Sequence, residues 1–347
     1  MKRHILVVDD NVTNLKIVEK TLKDLYKVTL LVSAVQTFKF LKKVKPDLIL
    51  LDINMPNVDG YETLKQIKGD KELVNIPVIF LTGQTDAESE VKGIELGAVD
   101  FIRKPFMPQT MLSRIKIHLE VKSYREELEE MVLEKTEMIE RLQDVMILSL
   151  GELVECRDEN TGGHIKRTAK YVEILTKELM ERGIYKEILT SEYARDLIRS
   201  APLHDVGKIG INDATLLKAS SLDEDEFEYM KEHTNLGGNT LQKMIDETNR
   251  ESFLYVAKDI AQYHHEKWDG TGYPVGLAGE EIPLCARIMA ICDVYDALTT
   301  KRPYKEPFTH EKAINIIENG KGTNFDPKIV EILESIDYKF EVAKENI

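Results

Sequence analysis

The sequence predicts an α/β domain with a parallel, doubly wound sheet, followed by a long helix and a second domain built of helices. Over residues 1–118, five short apolar runs alternate with segments of helical periodicity, which is the pattern of such a sheet. After residue 150, helical patterns dominate and strand patterns are scarce. We expect domains at 1–118 and 146–340, joined by a helical connector at 119–145. The expected strands are Ile5–Val8, Val28–Val32, Leu48–Leu51, Val78–Leu81 and Val99–Arg103.

The composition is that of a globular protein, and its net charge excludes some classes of binding partner. Of 347 residues, 42% are hydrophobic and 31% charged, with a formal net charge of −14. This charge argues against a surface that binds nucleic acid polymers or anionic membranes. The three cysteines, Cys156, Cys285 and Cys292, form no CxxC pair, which argues against a disulfide framework. No apolar run reaches the roughly 18 residues of a membrane helix, so we expect a cytoplasmic protein.

The connector carries a heptad pattern. Its apolar positions recur at alternating intervals of four and three residues, which is typical of a coiled-coil seam. One interpretation is an amphipathic helix packed on its own domain, and the other is a parallel coiled coil between two chains. Four heptads exceed what a lone surface helix needs, so we expect a homodimer through this helix. The series is Ile117, Val121, Tyr124, Leu128, Met131, Lys135, Met138, Leu142 and Val145.

Polar residues follow four of the expected strands at their carboxyl ends. Asp9 and Asp10 follow the first strand, Asp52 the third, Thr82 the fourth and Lys104 the fifth, so they should meet in one crevice. Three carboxylates repel one another unless a cation lies among them, and oxygen ligands suit Mg²⁺. A carboxylate beside that ion can accept a phosphoryl group. Thr82 and Lys104 would then contact the phosphoryl oxygens. Solvated loop acids are the alternative, which the joint placement of these side chains disfavours.

Residues 1–118 resemble the receiver domains of response regulators along their whole length. The matching stretches are ILVVDD at 5–10, LLDINMP at 50–56, LTG at 81–83 and KPF at 104–106. The resemblance implies a flavodoxin-like fold with Mg²⁺ beside Asp9 and Asp10. It also implies phosphorylation of Asp52 by a sensor histidine kinase, with Phe101 as the aromatic residue of the switch. Gly83 occupies a position where many receivers have Ala. This difference should affect the kinetics of phosphorylation more than the ability to be phosphorylated.

Histidines and aspartates with metal-ligand character gather in the second domain. Imidazoles and carboxylates without thiolates suit Fe, Mn or Zn. A lone histidine is more often structural, but His204-Asp205 and His264-His265 are adjacent pairs. Adjacent helical residues diverge by about 100°, so both reach one site only near helix ends or between two ions. An aspartate that bridges two ions about 3.5–4 Å apart is the usual arrangement, and it holds a phosphodiester. The set is His164, His204, Asp205, His233, His264, His265 and Asp293.

These motifs, in this order, resemble the HD-GYP branch of the HD phosphohydrolases over about residues 144–339. The family implies hydrolysis of cyclic di-GMP, with the seven residues above as metal ligands, among which His204 and Asp205 are also catalytic. It further implies that Lys208, Arg302 and Lys305 contact the substrate phosphates. The matching stretches are RD at 157–158, TGGH at 161–164, HDVGKI at 204–209, HHE at 264–266, DGTGYP at 269–274, ARI at 286–288, Asp293 and RPYK at 302–305.

The cations and Tyr273 also have interpretations of their own. Lys208 lies three residues after Asp205, on the same helix face, where it would neutralise a phosphate or protonate a leaving oxygen. Alone, it would read as a surface lysine. The guanidinium fork of Arg302, with Lys305, suits the second phosphate of a cyclic dinucleotide, although a basic turn that caps a helix is the alternative. Tyr273 either stacks on a guanine or plugs its loop.

Two departures from the family bear on the site, and the first of them bears on the product. Some members carry a glutamate four residues before the first histidine and hold a third metal, where this chain has Asn160. Glu159 lies one position out of register. We therefore expect two divalent ions, Fe or Mn, and pGpG as the main product rather than complete conversion to GMP. Residues 218–220 replace a Pro-Gly turn that is common after the HD motif.

The sequence thus predicts a response regulator whose phosphorylation controls a cyclic di-GMP phosphodiesterase. A catalytically weak module that binds cyclic di-GMP and acts through protein contacts is the alternative. An HD phosphohydrolase of another nucleotide is a second rival. Regulation by DNA binding is disfavoured because no helix-turn-helix or basic domain follows the receiver.

Overall fold

The computed structural model describes residues 2–83, 87–158, 163–218, 220–248, 252–301 and 306–346. Within the described residues, the chain divides into two compact units, Met1–Thr136 and Glu137–Ile347. This division falls inside the connector that the sequence predicts.

The sheet of the first unit is parallel and doubly wound, which confirms the predicted fold class. Its described strands pair in the order β2-β1-β3-β4-β5, so the winding reverses between β1 and β3. The apolar runs of β1, β3 and β4 are buried on both faces, as a sheet covered by helices on both sides requires. The strands are β1 (His4–Val8), β2 (Lys27–Leu31), β3 (Leu48–Asp52), β4 (Val78–Thr82) and β5 (Asp100–Arg103).

Three helices of the first unit begin where short polar side chains cap them. Asn11, Ser33 and Asp59 each accept a hydrogen bond from a backbone N–H in the first turn of the helix that follows. Alternate residues of β1, such as Ile5 and Leu6, face two separate apolar clusters on opposite faces of the sheet. The helices are α1 (Val12–Leu22), α2 (Ala34–Leu41), α3 (Gly60–Gly69), α4 (Ala87–Glu95) and the first part of α5 (Pro108–Asp158), which continues past Thr136 into the second unit.

Helix α5 contains the whole heptad series, and every apolar member of that series is exposed. The exposed fractions run from 47% at Met131 to 66% at Tyr124. The apolar face is therefore not packed on its own chain, which corrects the first interpretation of the pattern. A coiled coil between two chains stays a prediction.

The second unit is helical, as the sequence predicts. Its core lies between α6, α11 and α13, where the rings of Tyr171, Tyr295 and Phe340 pack against one another. Across the described ranges, every helix is too short or too polar to cross a membrane. The helices are α6 (His164–Glu181), α7 (Ser191–Ser200), α8 (Asp213–Leu216), α9 (Glu224–Glu247), α10 (Ser252–Tyr263), α11 (Leu284–Thr299), α12 (His310–Asn319) and α13 (Pro327–Glu345). Short 3-10 turns cover Ala201–Leu203, Val206–Gly210 and Gly279–Glu281.

Candidate metal centre and phosphoacceptor site

The seven predicted metal ligands come together in the second unit. Among the described residues they form two groups, in each of which the ligand atoms lie within 4.8 Å of one another. Chain segments distant in sequence contribute to each group, so only the fold assembles them. The first group is Asp205, His233, His264 and His265, and the second is His164, His204 and Asp293.

The two adjacent pairs both lie at helix ends, where neighbouring side chains can point the same way. His204 and Asp205 follow the 3-10 turn Ala201–Leu203 and precede the next turn. His264 and His265 directly follow the last residue of α10. The imidazole rings of this second pair lie with their centroids 4.0 Å apart. Because these pairs lie at helix ends, the divergence of about 100° between adjacent residues within a helix does not keep both side chains of a pair from one site.

The carboxylate of Asp205 lies between the two groups. Its Oδ2 is 3.3 Å from Nε2 of His204, and its Oδ1 is 3.5 Å from Nε2 of His233 and 3.8 Å from Nε2 of His264. Burial opposes ionisation of this carboxylate, but nearby Lys208 and His204 hold its pKa well below the usual range. One ionised carboxylate with an oxygen toward each group is suited to bridge two cations.

Several of the histidines are oriented by their own backbone. The Nδ1 atom of each lies within hydrogen-bond distance of a carbonyl oxygen three or four residues earlier. Nδ1 therefore carries the proton, and the lone pair of Nε2 points into the site. The contacts are 3.0 Å from His204 to Ala201 O, 2.8 Å from His233 to Met230 O and 2.9 Å from His264 to Ile260 O.

The first group fits a metal ion because its inward atoms are buried and unpaired. Within the described ranges, Asp205 Oδ1, His233 Nε2 and His264 Nε2 have no hydrogen-bond partner. Leaving such an atom unsatisfied costs about 1–3 kcal/mol. Burial lowers the pKa of His264 to about 3 and also lowers the pKa of His233, so both rings are neutral at physiological pH. Neutral imidazoles and an ionised carboxylate are the protonation states that a divalent ion requires.

The second group is built around His164, the first residue of α6. Its Nε2 lies 3.3 Å from Nε2 of His204 and 3.6 Å from Oδ1 of Asp293. Its Nδ1 lies 2.8 Å from Oδ2 of Asp296. Burial opposes protonation of the ring, but Asp296 and Asp293 raise the pKa of His164 to about 9. Two ring nitrogens that face each other at this distance need a proton or a cation between them, so this group also suits a cation.

A cavity of about 180 Å³ opens beside both groups. His164, Asp205, His265 and Asp293 line it, and so does Lys208, whose Nζ lies 2.9 Å from Asp205 Oδ2. A substrate phosphate in this cavity would therefore meet ligand atoms and an ammonium together.

The other predicted substrate contacts divide between described and undescribed positions. The ring of Tyr273 lies with its centroid 4.8 Å from that of His265, so it borders the first group. Burial raises the pKa of Tyr273, which keeps its hydroxyl protonated. Arg302 and Lys305 lie outside the described residues, and so do Glu159, Asn160 and Ala219.

The predicted phosphoacceptor crevice assembles at the carboxyl ends of β1, β3 and β5. Nζ of Lys104 lies 2.8 Å from Oδ2 of Asp9 and 2.8 Å from Oδ2 of Asp52. Burial and the charge of Asp9 raise the pKa of Asp52 against the effect of Lys104. Ligand oxygens of Asp9, Asp10 and Asp52 lie within 4.8 Å of one another, which suits an oxygen-seeking ion. Thr82 is buried at the end of β4.

Phe101 lies on β5 next to this crevice. It lines a small cavity of about 10 Å³ together with Thr82. The guanidinium carbon of Arg114, on α5, lies 5.4 Å from its ring centroid, and Arg114 also pairs with Asp100. Phe101 therefore borders Thr82 and α5, and its role as a switch residue stays a prediction.

Comparison with known proteins assigns both units. A family model described as an HD domain matches residues 151–329, which is about half of the chain. The chain belongs to the HD domain family. A second model, the response regulator receiver domain, matches residues 5–116, so the first unit is a receiver domain.

Curated relatives match between about half and three quarters of the chain. A probable cyclic di-GMP phosphodiesterase of Vibrio cholerae is 44% identical over 74% of this chain and 60% of its own length. The cyclic di-GMP phosphodiesterase response regulator RpfG of Xanthomonas campestris is 36% identical over 75% of this chain and 67% of its own. A 3'3'-cGAMP-specific phosphodiesterase 2 of Vibrio cholerae is 41% identical over 54% of this chain and 34% of its own. The chain thus spans less than two thirds of the first and third of these relatives.

Three acidic residues of the HD domain support the candidate site and were not predicted: two orient His164, and one holds the loop of Tyr273. Asp296 orients His164 and also accepts hydrogen bonds from Arg167 at 2.7 and 3.0 Å. Glu155, near the end of α5, accepts the backbone N–H of His164 at 2.8 Å. Asp296 lies one helical turn after Asp293, a spacing that could have revealed it. No sequence signal points to Glu155, because its partner lies on another helix.

The third is Glu266, which holds the loop that carries Tyr273. It is buried, and its carboxylate accepts hydrogen bonds from the backbone N–H groups of Val275, Gly276 and Leu277 at 2.8–3.1 Å. The residue was noted as part of the HHE motif, but no role was assigned to it. One carboxylate thus satisfies three backbone donors that the loop cannot pair for itself.

Gly207 is required because the turn after Asp205 packs tightly on α9. A Cβ atom at this position would lie 1.9 Å from the carbonyl oxygen of His233. The glycine lets the turn with Asp205 and the helix with His233 approach closely. The HDxGK pattern therefore carries a packing requirement as well as ligands.

Proposed function

We propose that this chain is a phosphorylation-controlled phosphodiesterase of the HD-GYP type that hydrolyses cyclic di-GMP to pGpG. The observation that carries the proposal is the pair of ligand groups with Asp205 between them, whose buried ligand atoms Asp205 Oδ1, His233 Nε2 and His264 Nε2 are unpaired in the described part of the chain. The names of the first two relatives above support the same activity.

Two divalent ions, Fe or Mn, would be held by the seven residues of the two groups. When bound, such a pair polarises a phosphodiester and lowers the pKa of water. Asp205 would offer one oxygen to each ion, and the hydrogen-bonded Nδ1 atoms keep the imidazoles of His204, His233 and His264 in the tautomer that a ligand needs.

Lys208 supplies the general acid in this proposal. Water adds to phosphorus and releases one proton to solvent, the bond from phosphorus to one ribose 3′ oxygen breaks, and that oxygen takes up a proton. The ammonium of Lys208 borders the cavity and is held beside Asp205, where it can neutralise the phosphate and donate that proton. Arg302 and Lys305 would hold the second phosphate, and Tyr273 would pack against a guanine.

Control by the receiver domain is the second part of the proposal. A histidine kinase would transfer its phosphoryl group to Asp52, with Mg²⁺ beside Asp9 and Asp10 and with Lys104 paired to the phosphoryl oxygens. The exposed heptad face of α5 supports a homodimer through this helix, which light scattering at micromolar concentration would test.

The deciding experiment is turnover by the full chain, purified without oxygen and loaded with Fe or Mn. Cyclic di-GMP, 3'3'-cGAMP and mononucleotides are supplied separately, and the products are identified. We expect cyclic di-GMP to be consumed with pGpG as the main product. No turnover of any of these nucleotides, with both metals bound and Asp52 phosphorylated, would overturn the enzyme assignment. Preference for 3'3'-cGAMP would overturn only the substrate.

Variants of the bridging pair test the site itself. His204→Ala and Asp205→Ala each remove a ligand, so we expect loss of activity together with loss of bound metal. His310→Gln is the matched control, because His310 contacts Tyr295 and Asp337 instead of the ligand groups. Binding of cyclic di-GMP without product release would favour the alternative of a binding module.

A further inference from the structure

The last turns of α5 contact several of the segments that carry the metal centre. Gly151 packs so closely against the 3-10 turn before His204 that an added Cβ would lie 2.5 Å from the carbonyl oxygen of Pro202. Two turns later, the guanidinium of Arg157 donates to the carbonyl oxygen of Ile209 at 2.8 Å, in the turn that carries Lys208. The same helix therefore borders the segments of a ligand and of the proposed acid.

Glu155 lies between these two contacts and reaches the third segment. Its Oε1 accepts the backbone N–H of His164 at 2.8 Å, and its Oε2 accepts that of Ile165 at 3.4 Å. The residue before His164 is Gly163, which has no side chain to cap α6. The carboxylate from α5 thus satisfies the first N–H groups of α6 and places negative charge at the positive end of that helix.

Burial makes this contact specific. Glu155 is 7% exposed, and it lines the cavity beside His164 and Asp293. Its described hydrogen bonds go to the first turn of α6, so the carboxylate fixes where that turn begins. Glu155 holds the backbone of His164, and Asp296 holds its ring. The position of the His164 Nε2 atom therefore depends on both carboxylates.

We infer that Glu155 is a positioning residue of the second metal group, which it holds in register by capping α6 at His164. The inference rests on the proposed metal centre. In this inference Glu155 is not itself a ligand. Helix α5 instead determines the position of His164, and therefore the geometry of the second metal group. The other group, with His233, His264 and His265, has no contact from Glu155 among the described hydrogen bonds.

The test is Mn²⁺ binding to the full chain, followed by calorimetry and elemental analysis without substrate. Wild type should bind two ions. Glu155→Ala should weaken one of them by about 10–100-fold, which is the usual effect of removing a group that orients a ligand. The other ion should be unchanged. Adding Glu155→Ala to His164→Ala should cause no further loss, because both changes act on one site.

Glu152→Ala is the matched control. Glu152 lies one turn earlier on α5 and also contacts α6, but its Oε1 pairs with Nζ of the exposed Lys166, at 2.7 Å, and its own side chain is half-buried. Equal Mn²⁺ binding by Glu155→Ala and Glu152→Ala, with two ions in each, would overturn the inference. So would loss of both ions by Glu155→Ala with helix content retained, because the effect would then not belong to one group.

A conservative variant keeps the test decisive if Glu155→Ala fails to fold. Glu155→Gln retains an oxygen for the N–H of His164 but sets an amide donor against that of Ile165. We expect two bound ions, one of them weakened. Affinities equal to those of Glu152→Gln would contradict the inference. Fewer than two ions in wild type would instead contradict the proposed metal centre.

Discussion

Asp296 orients His164 through a 2.8 Å contact between its Oδ2 and the Nδ1 of the ring. The same carboxylate pairs with Arg167, so it is itself held in place and cannot follow the ring. The Nε2 of His164 is thereby aimed at His204 and Asp293. A carboxylate in this position both fixes the tautomer of a ligand and raises its basicity.

Replacing Asp296 should therefore weaken one metal site. For Asp296→Asn we expect Mn²⁺ affinity at the second group to fall by about 10–100-fold while the first group keeps its ion. Calorimetric titration of the full chain measures both. Asp337→Asn is the control, because Asp337 lies 3.5 Å from His310, away from the ligand groups. Unchanged affinity for both ions would contradict the role of Asp296.

Lys208 should affect turnover rather than metal binding. Lys208→Met keeps the length of the side chain and removes its charge, so we expect both ions to remain. The rate of cyclic di-GMP cleavage should fall by about 10²–10⁴-fold, which is the usual contribution of a general acid. Steady-state kinetics and metal analysis measure the two effects. Lys218→Met is a matched control, since Lys218 pairs with Glu226. A rate within twofold of wild type would rule out the acid role.

Glu266 should stabilise the Tyr273 loop. In Glu266→Gln, an amide donor replaces an oxygen that accepts backbone N–H groups, so the loop should lose about 1–3 kcal/mol of local stability. Hydrogen exchange at Val275–Leu277 should become faster, while exchange in α6 stays the same. Glu280→Gln is the control, because Glu280 is exposed and pairs with Lys328. Equal exchange rates in the two variants would show that Glu266 does not hold the loop.

Asp52 should be the phosphorylated residue. Asp52→Asn retains the shape of the side chain but lacks the nucleophilic oxygen, so we expect no incorporation of phosphate from acetyl phosphate with Mg²⁺. Intact-mass measurement detects the added phosphoryl group. Asp59→Asn is a suitable control, since Asp59 caps α3 and asparagine caps equally well. Phosphorylation of Asp52→Asn to the wild-type extent would show that another residue is the phosphoryl acceptor.

The residues of the receiver crevice could be predicted from the sequence, because in a parallel sheet the residues at the carboxyl ends of neighbouring strands lie close together. Once β1, β3 and β5 are recognised, their carboxyl ends lie at one edge, so Asp9, Asp52 and Lys104 must be neighbours. Strand bounds were less accurate: β2 begins at Lys27 and β5 at Asp100, each one residue from expectation. Such ends depend on hydrogen bonds to neighbouring strands, which a single apolar run does not specify.

The heptad series shows how a periodic pattern leaves the partner undetermined. Its spacing correctly indicates one long helix, α5. The pattern alone did not distinguish packing on the same chain from an exposed seam, because both need an apolar stripe. The exposure of Met131 and Tyr124 decides against the first.

The sequence by itself determined the fold class and the residue types of the candidate ligands, including the two adjacent pairs His204-Asp205 and His264-His265. These features depend only on residue spacing and side-chain chemistry, both of which the sequence gives directly. Only the tertiary structure decided that Asp205 lies between the groups and that Asp296 and Glu155 hold His164. Those relationships join residues on different helices, and their distances follow from packing, for which no local pattern exists.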